Sequence, residues 1–148
     1  IEIYREEYHA VGAFAAEPFP GVIDVIAETR RAGLTTALAT SKAFTAARLV
    51  TEHFGLDDLF DVYGTATDDD VRKTKADVLE FIMGELGDRG ARRERIVLVG
   101  DRIHDVEGAR EFGIDCVLVE WGYGNPTEFA QATASVETPT DLRRFLGV

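Results

Sequence analysis

Residues 97–113 have the sequence VLVGDRIHDVEGAREFG, and this stretch decides the fold. Its apolar start predicts a buried strand, and the residues after the glycine have the spacing of an amphipathic helix over 103–112. Asp101 ends the strand, and Asp105 falls in the first turn of the helix. Two carboxylates this close repel each other unless a cation or a proton lies between them. The stretch therefore predicts a strand, turn and helix with an acidic pair at the turn.

Two interpretations of the acidic pair stay open at this point. Hard carboxylate oxygens at a strand end suit Mg²⁺, which proteins usually hold with one or two carboxylates, waters and substrate phosphate. Alternatively, Asp101 and Asp105 cap the helix and stabilise its positive end.

The rest of the chain repeats the alternation of strand and helix. Strands are predicted over 34–40, 60–64, 96–100 and 116–120, and helices over 1–13, 20–32, 42–53, 75–86, 103–112, 126–131 and 140–146. Strands that are apolar throughout and alternate with single helices indicate a parallel sheet covered on both faces. We therefore expect a doubly wound, Rossmann-like α/β fold, in which ligands bind beyond the carboxyl ends of the strands.

Two further polar signals fall at such strand ends. Thr40 and Ser41 close the strand LTTALAT, where their hydroxyls either hold a phosphoryl oxygen or cap the next helix. Lys75 opens a helix after a polar loop, at the end where the helix dipole disfavours a positive charge. Lys75 is therefore either a solvated surface charge or a functional cation.

Composition limits the classes of partner. The chain has 148 residues, with 27 acidic against 16 basic residues and a formal charge of -11, so we expect neither nucleic acid nor an anionic membrane as a partner. No apolar run is long enough to cross a bilayer and no signal-peptide layout is present, which predicts a cytoplasmic location. Cys116 lies in the apolar run CVLV and is predicted to be a buried structural thiol.

Several extended segments, in order, resemble one known family. They are EPFPGVIDVIAETRRAG, HFGLDDLFDVYGT, VRKTKADVLEFIM, VGDRIHDVEGAREFGID and VEWGYG. A hydroxyl residue after one strand, a lysine opening a helix and G-D-x-x-x-D after a later strand resemble the second, third and fourth motifs of the haloacid dehalogenase superfamily. The whole chain resembles its phosphoglycolate-phosphatase-like subgroup.

The resemblance implies a Mg²⁺-dependent phosphomonoester hydrolase that acts on a small phosphorylated metabolite through an aspartyl-phosphate. Thr40 would bind the phosphoryl group with Ser41 nearby, and Lys75 would balance the charge of nucleophile and phosphate. Asp101 would ligate Mg²⁺. Asp105 would hold a metal-bound water or orient the lysine. Trp121 and Tyr123, in the loop WGYG, either line the mouth of this site or pack against the edge of the core.

The family's first motif, a strand ending in D-x-D-G-T that supplies the nucleophile and the general acid, has no match here. The nearest pair, Asp68 and Asp70, follows no apolar run and is interpreted as a solvated loop. We expect this central strand and most of the helical cap to lie upstream of Ile1. Residues 1–16 would then be a remnant of the cap and 17–148 an incomplete core. The chain alone is predicted to be inactive.

Two rival functions remain from other classes. A non-catalytic phosphate- or Mg²⁺-binding domain would lack the first motif naturally and would still use Asp101. A receiver-type signalling domain also combines aspartate, hydroxyl and lysine, but its acidic cluster precedes the other two, which is the reverse of the order here. The sequence fixes neither the substrate nor the oligomeric state.

Overall fold

A computed structural model of the chain describes residues 17–69 and 71–148. The predicted cap remnant, residues 1–16, lies outside the described residues. The chain groups into two compact units, one ending at Val78 and the other beginning at Leu79. Each unit contains one parallel sheet.

The first unit has a two-stranded sheet. Its elements are α1 (Val22–Arg31), β1 (Ala37–Ala43), α2 (Phe44–His53), a 3-10 turn (Asp57–Leu59), β2 (Val62–Ala66) and the first turn of α3 (Lys75–Asp88). β1 and β2 are parallel, with Ala37 opposite Val62. β1 begins and ends three residues later than predicted, because the chain after α1 first turns through Gly33 at φ 82°.

The second unit has a three-stranded parallel sheet in the order β3-β4-β5. Its elements after α3 are a 3-10 turn (Arg93–Arg95), β3 (Val97–Gly100), α4 (Ile103–Phe112), β4 (Asp115–Val119), α5 (Pro126–Phe129), β5 (Ala134–Val136) and α6 (Pro139–Leu146). The predicted parallel α/β class is confirmed. β5 was not predicted, because a three-residue strand becomes a strand through its pairing with β4 rather than through its own apolar pattern.

Strand β4, the middle strand of the three, forms the core of the second unit. Val117 and Leu118 are fully buried, and Cys116 is buried as a free thiol, as predicted. Helical spacing in the sequence predicts one apolar face for α3, and all four of its members are buried: Val78, Leu79, Ile82 and Leu86. None of the helices in the described ranges is long and apolar enough to cross a membrane.

Each sheet has one edge next to which a further strand was expected. Within residues 17–69 and 71–148, β1 is paired with β2 alone and β3 with β4 alone. Val99, on β3, is 39% exposed although its neighbours along β4 are buried. The expected further strand is not among the elements of the described residues.

We predict that the chain on its own does not unfold in a single cooperative transition. A missing central strand removes four or five buried aliphatic side chains, worth on the order of 10 kcal/mol, which is comparable with the whole stability of a domain. Scanning calorimetry should give a van't Hoff enthalpy that differs from the calorimetric enthalpy. A form extended upstream through the native coding sequence is the control and should unfold cooperatively. A cooperative transition at high temperature in the isolated monomer would contradict the prediction.

Candidate active site

The turn between β3 and α4 is organised by the carboxylate of Asp105. Its Oδ2 accepts the backbone N–H of Asp101 at 3.1 Å and that of Arg102 at 3.2 Å. The first N–H groups of a helix have no partner within the helix, so an acid in the first turn stabilises this end. The capping alternative is therefore what the structure shows for Asp105, and its role toward a lysine or a metal-bound water stays a prediction.

Gly100 makes room for this arrangement. A Cβ built at Gly100 would overlap the Cβ, Cγ and Oδ2 atoms of Asp105. Any larger residue would push the capping carboxylate off the turn. The glycine that ends β3 is therefore required by contact with the aspartate five positions later.

Asp101 is held by the loop that follows β4. Its Oδ2 accepts the backbone N–H of Tyr123 at 2.8 Å. A Cβ at Gly122 would overlap the Asp101 side chain and lie 2.6 Å from Oδ2, and a Cβ at Gly124 would overlap the Asp101 carbonyl oxygen. The two glycines let the loop backbone come close enough to Asp101 to donate that hydrogen bond.

Sequence reasoning singled out the aromatic residues of this loop rather than its glycines. Tyr123 is 77% exposed, and its backbone N–H donates to Asp101. The signal for the loop's role was the spacing Gly122-Tyr-Gly124 after a buried strand, which is typical of a close backbone approach.

An ion pair beside the acidic turn was not predicted from the sequence. Arg102 Nε donates to Glu128 Oε2 at 3.1 Å, and its Nη2 donates to Oε1 at 3.3 Å. Glu128 is 8% exposed and also accepts the N–H of Ile103 at 3.2 Å. The hydrogen bond from Arg102 is the main cause that lowers the pKa of the Glu128 carboxyl. A glutamate in a short helix carries no sequence signal for such a partner.

In the first unit, the structure brings Lys75 to the point where the regular pairing of β1 stops, at Ala39. Lys75 Nζ donates to the carbonyl oxygen of Ala39 at 3.2 Å, which places the ammonium group next to the backbone of Thr40. Thr40 is half-buried and Ser41 is exposed. The lysine that opens α3 and the hydroxyl that ends the apolar part of β1 therefore share one end of the sheet.

Thr40 and Ser41 do not cap the next helix. The cap position of α2 is Ala43, which offers no side-chain acceptor, and Thr40 Oγ1 instead accepts the N–H of Lys42 at 3.2 Å. Between paired positions β1 advances from Ala39 to Ala43 while β2 advances only from 64 to 66. The polar residues 40–42 thus bulge out of the ladder, which frees their backbone from pairing at the ligand end of the strand.

The predicted site residues fall in both units. Thr40, Ser41 and Lys75 lie in the first unit, and Asp101 and Asp105 lie in the second. The solvated-loop interpretation holds for Asp68, which is exposed and accepts the Thr45 hydroxyl at 2.9 Å, whereas its partner at position 70 lies outside the described residues.

The chemistry of the second-unit donors fits Mg²⁺. Asp101 presents a half-buried carboxylate at a strand end, and the positive charge next to it is paired with Glu128. In the described ranges there is no group of three or more His, Cys, Asp or Glu residues that could hold a metal. A cation at Asp101 would therefore complete its shell with waters and substrate oxygens, as Mg²⁺ commonly does.

A family model described as haloacid dehalogenase-like hydrolase matches residues 1–113. The chain belongs to this family. It is 40% identical, over its whole length, to the tyrosine-protein kinase PtkA of Mycobacterium tuberculosis, of which it covers 51%. It is 32% identical to a 5'-nucleotidase of Pseudomonas aeruginosa, over 86% of the chain and 57% of the relative. The chain thus spans little more than half the length of these relatives.

Solved structures of family members share the fold. A predicted phosphatase from Clostridium acetobutylicum superposes with a TM-score of 0.88 at 27% identity, over 99% of this chain and 68% of that one. The structure of PtkA from Mycobacterium tuberculosis gives a TM-score of 0.77 at 41% identity, over 98% and 68%. The expected membership in a family of hydrolases, and the fold that it implied, are confirmed.

Exchange of Gly122 for alanine is predicted to weaken Mg²⁺ binding. The added Cβ overlaps the Asp101 side chain and must displace either the carboxylate or the loop that holds it. We expect the Mg²⁺ affinity, measured by isothermal titration calorimetry, to fall about tenfold or more, the equivalent of one lost charged hydrogen bond.

The matched control is Gly84→Ala, in α3, where an added Cβ meets nothing within 4 Å. This variant should keep the wild-type affinity and be slightly more stable, because alanine favours a helix interior over glycine. Equal affinities in the two variants would show that Asp101 does not need the close approach of the loop.

Proposed function

We propose that the protein is a Mg²⁺-dependent phosphomonoester hydrolase of the phosphoglycolate-phosphatase-like type that acts on a small phosphorylated metabolite. The observation that carries the proposal is the 3.2 Å contact of Lys75 Nζ with the carbonyl oxygen of Ala39, the residue at which the regular pairing of β1 with β2 stops. This contact holds a positive charge next to the backbone of Thr40. In folds of this kind, ligands bind beyond the carboxyl ends of the strands. A cation and a hydroxyl together are suited to a phosphoryl group.

In this mechanism the residues of the first unit bind the substrate phosphate. Lys75 offsets the negative charge that the phosphoryl oxygens carry in the transition state. Thr40 donates its hydroxyl to one of those oxygens, with Ser41 beside it in the same bulge. The bulge at 40–42 takes these residues out of the regular pairing with β2, and the Lys42 N–H within it donates to Thr40 Oγ1.

The residues of the second unit serve the cation. Asp101 would be its carboxylate ligand, held in place by the Tyr123 N–H. When bound, Mg²⁺ would neutralise charge on the phosphate and orient it. Asp105 fixes the backbone of the turn through two hydrogen bonds. It is also proposed to hold a metal-bound water or to orient the lysine.

The nucleophile and the general acid are proposed to come from outside this chain. The sequence contains no strand that ends in D-x-D-G-T. An aspartate of that motif would attack phosphorus, form an aspartyl-phosphate and release the alcohol, which the neighbouring acid protonates; water then hydrolyses the acyl phosphate. The chain alone is therefore proposed to be inactive.

One comparison favours a second candidate, phosphoryl transfer that involves protein tyrosine. The protein that is 40% identical over the whole chain is named a tyrosine-protein kinase. Lys75 and Thr40 would bind the phosphoryl group in either case, so the two candidates differ in the phosphate donor and acceptor. A non-catalytic binding domain remains the third candidate, supported only by the missing first motif.

The proposal also includes the class of partner and the location in the cell. A charge of -11 supports a small-molecule partner over nucleic acid or an anionic membrane. The cytoplasm is the proposed location.

We predict that Lys75→Ala lowers Mg²⁺-dependent hydrolysis about 10²- to 10³-fold in the form extended upstream through the native coding sequence, because it removes a charge that stabilises the transition state. The matched control is Lys73→Ala, an exposed lysine two residues earlier, which should leave the rate within about twofold. The substrates are an aryl phosphate, phosphoglycolate, a nucleoside monophosphate, a sugar phosphate and a phosphotyrosine peptide. The kinase candidate is assayed with ATP and a tyrosine peptide.

The outcomes separate the candidates. Hydrolysis by the extended form alone supports the proposal, and transfer from ATP to tyrosine replaces it with the second candidate. If the extended form and the 148-residue chain are both folded and bind Mg²⁺ but neither turns over any substrate, the protein is a non-catalytic binding domain. Turnover by the short chain would show that its nucleophile lies within residues 1–148.

A further inference from the structure

Glu128 is a buried carboxylate that none of the family motifs found in the sequence includes. It is 8% exposed, and burial of a carboxylate is unfavourable unless the charge is paired and hydrogen-bonded. Its side-chain partners are Arg102 and the N–H of Ile103, the two residues directly after Asp101. Glu128 therefore makes its contacts at the turn that carries the proposed Mg²⁺ ligand.

Arg102 is an unfavourable neighbour for a cation site. A fixed positive charge repels a divalent cation. A guanidinium group also forms two-point hydrogen bonds with carboxylates, so it would compete for Asp101 directly. The Arg102 side chain extends from the residue directly after Asp101, so without its contact to Glu128 it could turn toward that carboxylate.

We infer that Glu128 is a positioning residue that holds Arg102 away from Asp101 and so keeps the Asp101 carboxylate available to Mg²⁺. The inference rests on the proposed function, because it assigns Mg²⁺ to Asp101. It adds to that function a residue at the other end of the loop 121–125.

The geometry of Glu128 suits this role. Its two oxygens bind two different nitrogens of Arg102, at 3.1 and 3.3 Å, and this two-point contact fixes the plane of the guanidinium group. Oε2 is anchored in addition by the Ile103 N–H at 3.2 Å. The backbone of Glu128 is itself fixed, because the Asn125 side chain accepts its N–H at 3.2 Å.

The test measures the Mg²⁺ affinity of the protein encoded by the whole gene, by isothermal titration calorimetry, in four forms. They are the wild type, Glu128→Gln, Arg102→Gln and the double variant. Glutamine keeps an oxygen that can accept the Ile103 N–H and removes only the charge, so the fold is expected to survive. Circular dichroism checks this, and Glu137→Gln, at an exposed position of the same unit, is the matched control.

We expect Glu128→Gln to weaken Mg²⁺ binding about tenfold, the effect of one released charge near the site. Arg102→Gln alone should bind at least as well as the wild type. The double variant should return to within about twofold of the wild type, because the released charge is no longer there. If Glu128 had only a structural role, removal of the Arg102 charge would not restore the Mg²⁺ affinity.

Three results would overturn the inference. They are an unchanged affinity in Glu128→Gln, a loss that persists in the double variant, and a wild type that binds no Mg²⁺. Hydrolysis by the same four forms is measured separately. If the wild type hydrolyses phosphomonoesters with Mg²⁺ but Glu128→Gln binds the ion normally, the proposed function stands and only the role of Glu128 is wrong.

Discussion

The carboxylate of Asp105, placed against Gly100, is the interaction on which the second unit's acidic turn depends. It accepts the N–H groups of Asp101 and Arg102 and so fixes the backbone from which both of these side chains extend. The first N–H groups of a helix need an acceptor, and a bare glycine next to the turn is what lets a side chain reach them. One carboxylate thus sets the direction of the two charges that follow β3.

The loop after β4 acts on the same turn from the other side. Gly122 and Gly124 allow its backbone to approach Asp101, and Glu128 at its far end pairs with Arg102. Two separate contacts from one short segment therefore hold one negative and one positive side chain of the turn. Displacement of this loop would move the side chains of Asp101 and Arg102 together, so the glycines and the buried glutamate act jointly on the turn.

The sequence predicts the elements better than it predicts the contacts between them. Apolar runs and helical spacing placed the parallel α/β fold and the buried face of α3, because burial imposes those periods locally. The short strand β5, the bulge after Ala39 and the pair of Arg102 with Glu128 arise from partners distant in the chain, so no local pattern marks them. Thr40 is instructive, since the alternative that it caps α2 is excluded by the continuation of the strand to Ala43.

Three carboxylates surround the start of α4, and they differ in the hydrogen bonds and positive charge that they receive. Glu128 receives the full positive charge of Arg102 together with one N–H group, and Asp105 receives two N–H groups. From the part of the chain that the structure describes, Asp101 accepts one N–H group, that of Tyr123, which carries only a partial charge. The negative charge with the least compensation from these hydrogen bonds is therefore the one that lies at the strand end. A cation gains most from the carboxylate that its surroundings neutralise least, and in this turn that carboxylate is Asp101.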